Sequence, residues 1–192
     1  MGKITIEECR AQDGQVIEGL KVITPTVFGD NRGYFVETYN ARDILQAGVD
    51  RIFVQDNQSM SVKGVLRGLH FQKQYPQAKL VRAAKGRVFD VAVDLRDGSK
   101  TYGKWFGVEL SEDNFRQFFI PEGFAHGFLV LSETAVFCYK VTDFYHPGDE
   151  GGLIWNDPTI GVDWPIPEGM QLIFSEKDTK WPSLQDGRQD EQ

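Results

Sequence analysis

Gly64-Val65-Leu66-Arg67-Gly68-Leu69-His70-Phe71-Gln72 is a strand-forming run that carries two residues able to do chemistry. It follows a polar segment, Gln55 to Ser61, and precedes a basic one, Lys79 to Arg87. On an extended strand alternate residues share a face. His70 and Gln72 therefore point one way, and Leu69 and Phe71 the other. Arg67 falls with Leu69 unless Gly68 kinks the strand, and an isolated strand glycine often marks a bulge. An arginine and a histidine on one face of a rigid strand suit an acid/base site that handles an anion.

Around this run, from Ile52 to Val141, the chain is mostly strand-like. Val88 to Leu95 alternates most clearly. Phe89, Val91, Val93 and Leu95 form one face; Val88, Asp90, Ala92 and Asp94 form the other. Lys104 to Leu110, Phe115 to Ile120, Gly127 to Leu131 and Ala135 to Thr142 read as further strands, with Asp97-Gly98 as a turn. Short strands with regular turn punctuation predict a sandwich or barrel.

The flanks fit the same picture. Residues 1–24 alternate weakly around a turn at Asp13-Gly14. Gly29-Asp30-Asn31-Arg32-Gly33 is a turn cluster, and Tyr34 to Tyr39 a strand. Asn40 caps a short helix that runs through Ala47 and is closed by Gly48. Ser111 to Asn114 is a second brief helical pattern. His146 to Gly152 reads as a loop, and Trp155-Asn156-Asp157-Pro158 and Asp163-Trp164-Pro165-Ile166-Pro167 as turns with aromatic anchors. Leu172-Ile173-Phe174 is a short strand, and the polar end from Ser183 is read as frayed. With no repeat and no linker, residues 1–192 are read as one domain.

The chain has 192 residues, 41% hydrophobic and 26% charged, with net charge -7 and a pI near 5.0. An acidic surface argues against nucleic-acid or membrane binding, but a local basic cluster still suits an anionic small molecule. Cys138 lies in an apolar run and is read as a buried thiol. No C-x-x-C pair, signal-peptide core or membrane-length apolar run occurs, so a cytoplasmic enzyme or binding protein is expected.

No Gly-x-Ser-x-Gly elbow, Walker A loop or Gly-x-Gly-x-x-Gly fingerprint is present. The candidates for chemistry are His70, His126, Tyr139, Lys79 and Asp178, and each has a plain alternative. His70 fits a satisfied core histidine, His126 a turn-stabilising one, and Tyr139 a core tyrosine with its hydroxyl at a rim. Lys79 fits a solvated strand lysine, and Asp178 a turn cap before Trp181-Pro182. They gain weight together, because a barrel gathers them around one cavity.

Pro121-Glu122-Gly123-Phe124-Ala125-His126 resembles the second motif of the cupin superfamily, double-sheet jelly rolls. Gly64 and His70 match the spacing of the first motif. In metal-binding cupins a second His follows two positions on, with a Glu shortly after; here Gln72, Pro76 and Gln77 stand there. With that ligand shortfall, no metal is expected.

Arg67 to Gln72, Gln55 to Ser59, Gly86 to Arg96, Phe119 to Phe128 and Ser175-Glu176-Lys177-Asp178 together resemble the dTDP-4-dehydrorhamnose 3,5-epimerase family, from about Pro25 to Pro182. The resemblance implies an all-β cupin-type jelly roll with a few short peripheral helices. It implies a dTDP-4-keto-6-deoxyhexose substrate, no cofactor, and a place in dTDP-rhamnose biosynthesis for cell-envelope polysaccharide. It further implies a homodimer in which residues 1–24 reach the neighbouring sheet. His70 matches the family's base, Asp178 its carboxylate partner, Tyr139 its acid and Lys79 its enolate stabiliser. Arg32, Glu37, Gln55, Asn57, Arg67, His126, Glu150 and Lys177 match its substrate-binding positions. From the residues alone, either Asp90 or Asp178 can be the partner of His70; the match points to Asp178.

The expected activity is inversion at C3 and C5 of dTDP-4-dehydro-6-deoxy-D-glucose to give dTDP-4-dehydro-L-rhamnose. The alternatives are a single-centre epimerase, a 3,4-ketoisomerase on a related nucleotide sugar, or a metal-free cupin that only binds a sugar.

Overall fold

The computed structural model describes residues 3–187, and within them the alternating segments become strands. Ile4–Arg10 (β1) and Val16–Pro25 (β2) come first, then a hairpin of Val27–Asp30 (β3) and Gly33–Val36 (β4). After the helix Ala41–Gln46 (α1) run Gln55–Val62 (β5), Leu66–Gln72 (β6), Lys79–Lys85 (β7) and Arg87–Asp94 (β8). Trp105–Ser111 (β9), Gln117–Ile120 (β10), Phe124–Val130 (β11), Thr134–Val141 (β12) and Glu150–Gly152 (β13) follow. A 3-10 turn, Lys177–Thr179, and a helical turn, Leu184–Gly187 (α2), lie near the end.

A six-stranded sheet, ordered β1-β2-β10-β7-β12-β5, packs on a five-stranded sheet, ordered β13-β6-β11-β8-β9. The pairings within both are antiparallel, so the expected double-sheet jelly roll is what forms. Strand β8 shows why the residues choose this arrangement. Val88 and Ala92 point between the sheets, where they meet Val81, Phe118 and Phe137 of the facing one. Val91 and Val93 point outward, into a second core with Leu153, Ile160, Trp164 and Leu184. The irregular, aromatic-anchored C-terminal stretch is therefore a cover for the outer face. A sheet buried on both faces carries near-continuous apolar strands, and every residue of β11 is buried.

Helix α1 forms where expected. Asn40 Oδ1 accepts from the backbone N–H groups of Arg42 and Asp43, and Ala47 is the C-cap. The Ser111 to Asn114 pattern is a turn, not a helix. There the Ser111 and Asn114 side chains bond each other's backbone N–H at 3.1 and 3.0 Å, which replaces helical bonding.

Other expectations are corrected. Glu150–Gly152, read within a loop, is a strand on the edge of β6. Leu172 to Phe174 makes only an isolated bridge, Val65 to Ile173. Cys138 is half-buried, because strand parity turns it away from the core that takes Ala135 and Phe137; Cys9 is the buried thiol. Within the chain, β1 and β2 sit at the edge of the six-stranded sheet, where β2 pairs with β10. In the end read as frayed, Leu184 is buried and its N–H donates to Asp157; residues 188–192 lie outside the described residues.

Candidate active site

Between the sheets lies a cavity of about 500 Å³. Its key wall is β6, and Gly68 decides what that wall presents. Against β11, His70 pairs with His126 and Arg67 with Phe128. β6 thus takes three steps while β11 takes two, which is a bulge of one residue. The extra residue flips the parity, so Arg67 joins His70 on the cavity face. Only glycine fits there. Gly68 has φ +123°, and a Cβ on it would stand 2.6 Å from Gly127 Cα.

His70 Nε2 bonds Asp178 Oδ1. Asp178 comes from far along the chain, carried by the 3-10 turn. Two bonds hold that segment against the start of β6: Leu66 N–H donates to Ile173 O, and Ile173 N–H to Gly64 O. Ser175 Oγ donates to the second oxygen of Asp178 at 2.7 Å. Burial opposes the charge on Asp178, but the bonds from His70 and Ser175 outweigh it and hold the carboxyl below its usual range. The Trp181 ring stands edge-on to the His70 ring at 6.0 Å.

Lys79 and Tyr139 line the cavity from β7 and β12, on the sheet facing His70. Burial lowers the Lys79 amine to about 8, against the pull of Asp90 and Glu150. Burial raises the Tyr139 phenol, and the nearby Arg67 works the other way. Arg67 donates from Nη2 to Ser61 Oγ at 3.0 Å. Lys177 and Glu150 form an ion pair of 2.7 Å in the cavity wall.

His126 also lines the cavity, but its Nε2 is turned to Asp90, 2.9 and 3.0 Å from the two oxygens. The sequence left two partners open for His70, and the fold separates them: Asp178 meets His70, and Asp90 meets His126. Burial raises the Asp90 carboxyl, with His126 and Lys79 opposing.

The remaining candidates lie further out. Gln55 and Asn57 share a face of β5 with Ser59, which lines the cavity, and Gln55 Nε2 donates to Asn57 Oδ1 at 2.8 Å. Arg32 and Glu37 do not reach the cavity of their own chain. Arg32 pairs with Asp30 at the exposed tip of the β3–β4 hairpin, and Glu37 accepts from Asn40 Nδ2. Two neighbours of the site escaped the sequence reading. Ser175 stood inside a quoted motif but carried no sign of its bond to Asp178. Tyr145, which lines the cavity, sits in an aperiodic loop; Ser59 was legible from its parity with Gln55 and Asn57.

In the position where metal-binding cupins place a second histidine, Gln72 donates from Nε2 to the His146 carbonyl at 3.1 Å. Among the described residues no three His, Cys, Asp or Glu side chains converge as a metal set. What the wall offers is a partnered imidazole on one sheet and a phenol and an amine on the other, an arrangement suited to moving protons across a bound ring.

Residues 15–186 match the family model described as dTDP-4-dehydrorhamnose 3,5-epimerase. The dTDP-4-dehydrorhamnose 3,5-epimerase of Methanothermobacter thermautotrophicus is 55% identical over 170 residues, 88% of this chain and 92% of its own. A solved dTDP-6-deoxy-D-glucose-3,5-epimerase from Legionella pneumophila, in complex with dTDP-4-keto-L-rhamnose, is 50% identical. It has a TM-score of 0.87 and covers 95% of this chain and 93% of its own. A 3'-monoepimerase from Streptomyces bikiniensis, in complex with dTDP-quinovose, is 30% identical with a TM-score of 0.85, covering 91% of this chain and 88% of its own. By the extent of the model match and the identity to its relatives, the chain belongs to the dTDP-4-dehydrorhamnose 3,5-epimerase family.

Proposed function

We propose that the cavity binds dTDP-4-dehydro-6-deoxy-D-glucose and inverts C3 and C5 by removing and returning a proton beside the 4-keto group. The observation that carries this reading is the opposition of His70–Asp178 on one sheet to Tyr139 on the other. Inversion needs a base on one face of the ring and an acid on the opposite face. A ketone acidifies the C–H bonds on both of its neighbours, so one pair of groups serves both centres in turn. Exchange with solvent removes the proton from His70 and reprotonates Tyr139 between the two inversions.

In this mechanism His70 takes the proton as the general base. Asp178, kept ionised by its two hydrogen bonds, orients the imidazole and stabilises the imidazolium that forms. Lys79 in its ammonium form stabilises the enolate oxygen, an oxyanion-type contribution. Tyr139 returns a proton from the other face. Arg67, His126, Glu150 and Lys177 bind the substrate, with the cations suited to diphosphate oxygens. Proton transfer alone completes each inversion, so no cofactor enters.

Arg32, Glu37, Gln55 and Asn57 retain a binding role in this reading, with Arg32 and Glu37 acting in a homodimer. Phe28, Tyr34 and Phe35 are exposed on the hairpin that carries Arg32, and a partner copy would cover them. Sedimentation equilibrium of the full chain checks this: a dimer is expected, and Arg32→Ala raises KM more than it lowers kcat. No helix among the described residues is long and apolar enough to cross a membrane. Two free cysteines and a nucleotide-sugar substrate fit a cytoplasmic enzyme.

Turnover in deuterated buffer tests the activity itself. Label at both C3 and C5 of the product is expected. Label at one carbon alone rules out double inversion and favours a single-centre epimerase. Movement of the ketone to C3 marks a ketoisomerase, and no turnover leaves a sugar-binding protein.

A further inference from the structure

Asp90 does not line the cavity. It is fully buried, and both of its oxygens meet the one Nε2 of His126. His126 lines the cavity from the five-stranded sheet, and Lys79 lines it from the six-stranded one. Asp90 and His126 are buried and Lys79 is half-buried, and none of them has a settled protonation state until the others are considered.

A dry compartment tolerates charge chiefly in compensated pairs. Asp90 supplies one negative charge, and His126 and Lys79 compete for the matching proton. Lysine is the stronger base, with an ordinary pKa of about 10.4 against about 6.5 for histidine. Burial works the same way, disfavouring the imidazolium of His126. The proton therefore resides on Lys79. An ionised carboxylate only accepts, so the ring hydrogen of the neutral His126 sits on Nε2. Its Nδ1 is left as a bare acceptor.

The other charges facing Lys79 are already engaged. Glu150, on β13, is paired with Lys177, and Asp178 with His70. Arg67, on β6, adds positive charge and bonds Ser61, while Tyr139 and Tyr145 contribute phenols. Of the two carboxylates whose charge favours the Lys79 ammonium, Asp90 and Glu150, Glu150 is paired with Lys177, whereas Asp90 bonds no Lys or Arg.

We propose that Asp90 is a positioning residue for the reaction: it fixes His126 as a neutral side chain whose free nitrogen can only accept, and it sustains the ammonium form of Lys79. The first half makes His126 specific for a sugar hydroxyl, since a phosphoryl oxygen has no hydrogen to give it. The second half rests on the enolate role given to Lys79 above.

The test reads Lys79 directly, without relying on turnover. The full chain is labelled with lysine carrying ¹³C at Cε, and the Lys79 signal is identified by its loss in Lys79→Arg. In the wild type it is expected to titrate near 8, below the ordinary lysine value because burial disfavours the ammonium. In Asp90→Asn, which keeps the shape and an acceptor for His126, the midpoint falls by about one unit or more, a tenfold loss of proton affinity. In parallel, kcat of Asp90→Asn at pH 8 falls about fivefold or more with KM little changed, and the alkaline limb of the pH profile moves down by the same interval. Asp90→Asn has no such effect on kcat when Arg stands at position 79, because guanidinium does not titrate there. An unmoved Lys79 midpoint in Asp90→Asn overturns the proposal. So does a wild-type midpoint near the ordinary lysine value, a result that needs no variant to fold. A midpoint that moves while turnover stays unchanged upholds the coupling and overturns instead the enolate role of Lys79.

Discussion

Histidine meets aspartate twice in the walls of this cavity, and the two pairs are built differently. The His70 side chain is 25% exposed, and its partner arrives on a turn near the chain end with Ser175 as a second donor. His126 and Asp90 lie on neighbouring strands, with side chains 9% and 0% exposed. Burial is the largest influence on both carboxylates, yet the outcome has opposite sign. Hydrogen bonding wins at Asp178, and its carboxyl is lowered; burial wins at Asp90, and its carboxyl is raised. The first pair can take up a proton from a ligand and hold the resulting charge. In the second the carboxylate lies behind the histidine, out of the cavity, and is suited to fixing an orientation and a local charge. The same two residue types serve as a base in one place and as a positioning device in the other, and the surroundings of the carboxylate make the difference.

The contrast can be broken by activity. His70→Asn is expected to lower kcat by about 10³–10⁴-fold with the circular-dichroism spectrum unchanged, since a general base is lost. His126→Asn should cost about tenfold or less. Equal losses at the two histidines would erase the distinction drawn between them. Asp178→Asn is expected to lower kcat by about 10²–10³-fold, because the imidazole loses its orienting charge; an unaltered kcat would show that His70 acts alone.

Stability sharpens the same contrast. Gly68→Ala attacks the bulge that puts Arg67 beside His70, and the clash with Gly127 leaves no room for a Cβ. A loss of about 3 kcal/mol is expected, or a fall in Tm of about 6–12 °C. Wild-type stability in this substitution would mean that the strand can relax around Gly68. The smallest effect concerns the two carboxylates. A lowered folded-state pKa stabilises the fold above the ordinary carboxylate value of about 4, and that stability is lost as pH falls through the lower folded value. Asp178→Asn should thus be less stable than wild type at pH 7 by about 1 kcal/mol, with the gap closing on acidification below pH about 4. A raised folded-state pKa has the opposite sign: stability is lost as pH rises from about 4 through the folded value. Asp90→Asn should therefore be no less stable than wild type at pH 7. Thermal melts of both variants across pH decide this, and parallel losses would contradict it.

The sheets were legible because their strands follow a period of two, as the split of Val88 and Ala92 from Val91 and Val93 shows. The inward turn of Asp90 followed from the same parity. Its pairing with His126 did not, since that needs β8 and β11 as neighbours, a fact of sheet order. Gly68 announced a bulge, but only the register against β11 shows that Arg67 changes face. Strand β13 was hidden because Gly151 and Gly152 have no side chains to alternate; both are small because the rings of Phe71 and Trp181 fill the space a Cβ would take. Asp178 came from family resemblance alone, because nothing local ties a 3-10 turn near the chain end to a histidine on β6.

The central claim is that a base on one sheet and an acid on the other act on opposite faces of one ring. Turnover of His70→Asn and Tyr139→Phe in deuterated buffer, followed by NMR of the sugar, tests it most directly. With the acid gone and the base intact, Tyr139→Phe should exchange hydrogen for deuterium at C3 and C5 while the configuration is retained, and His70→Asn should exchange neither. Deuterium entering in His70→Asn, or inversion by Tyr139→Phe at the wild-type rate, would contradict the account.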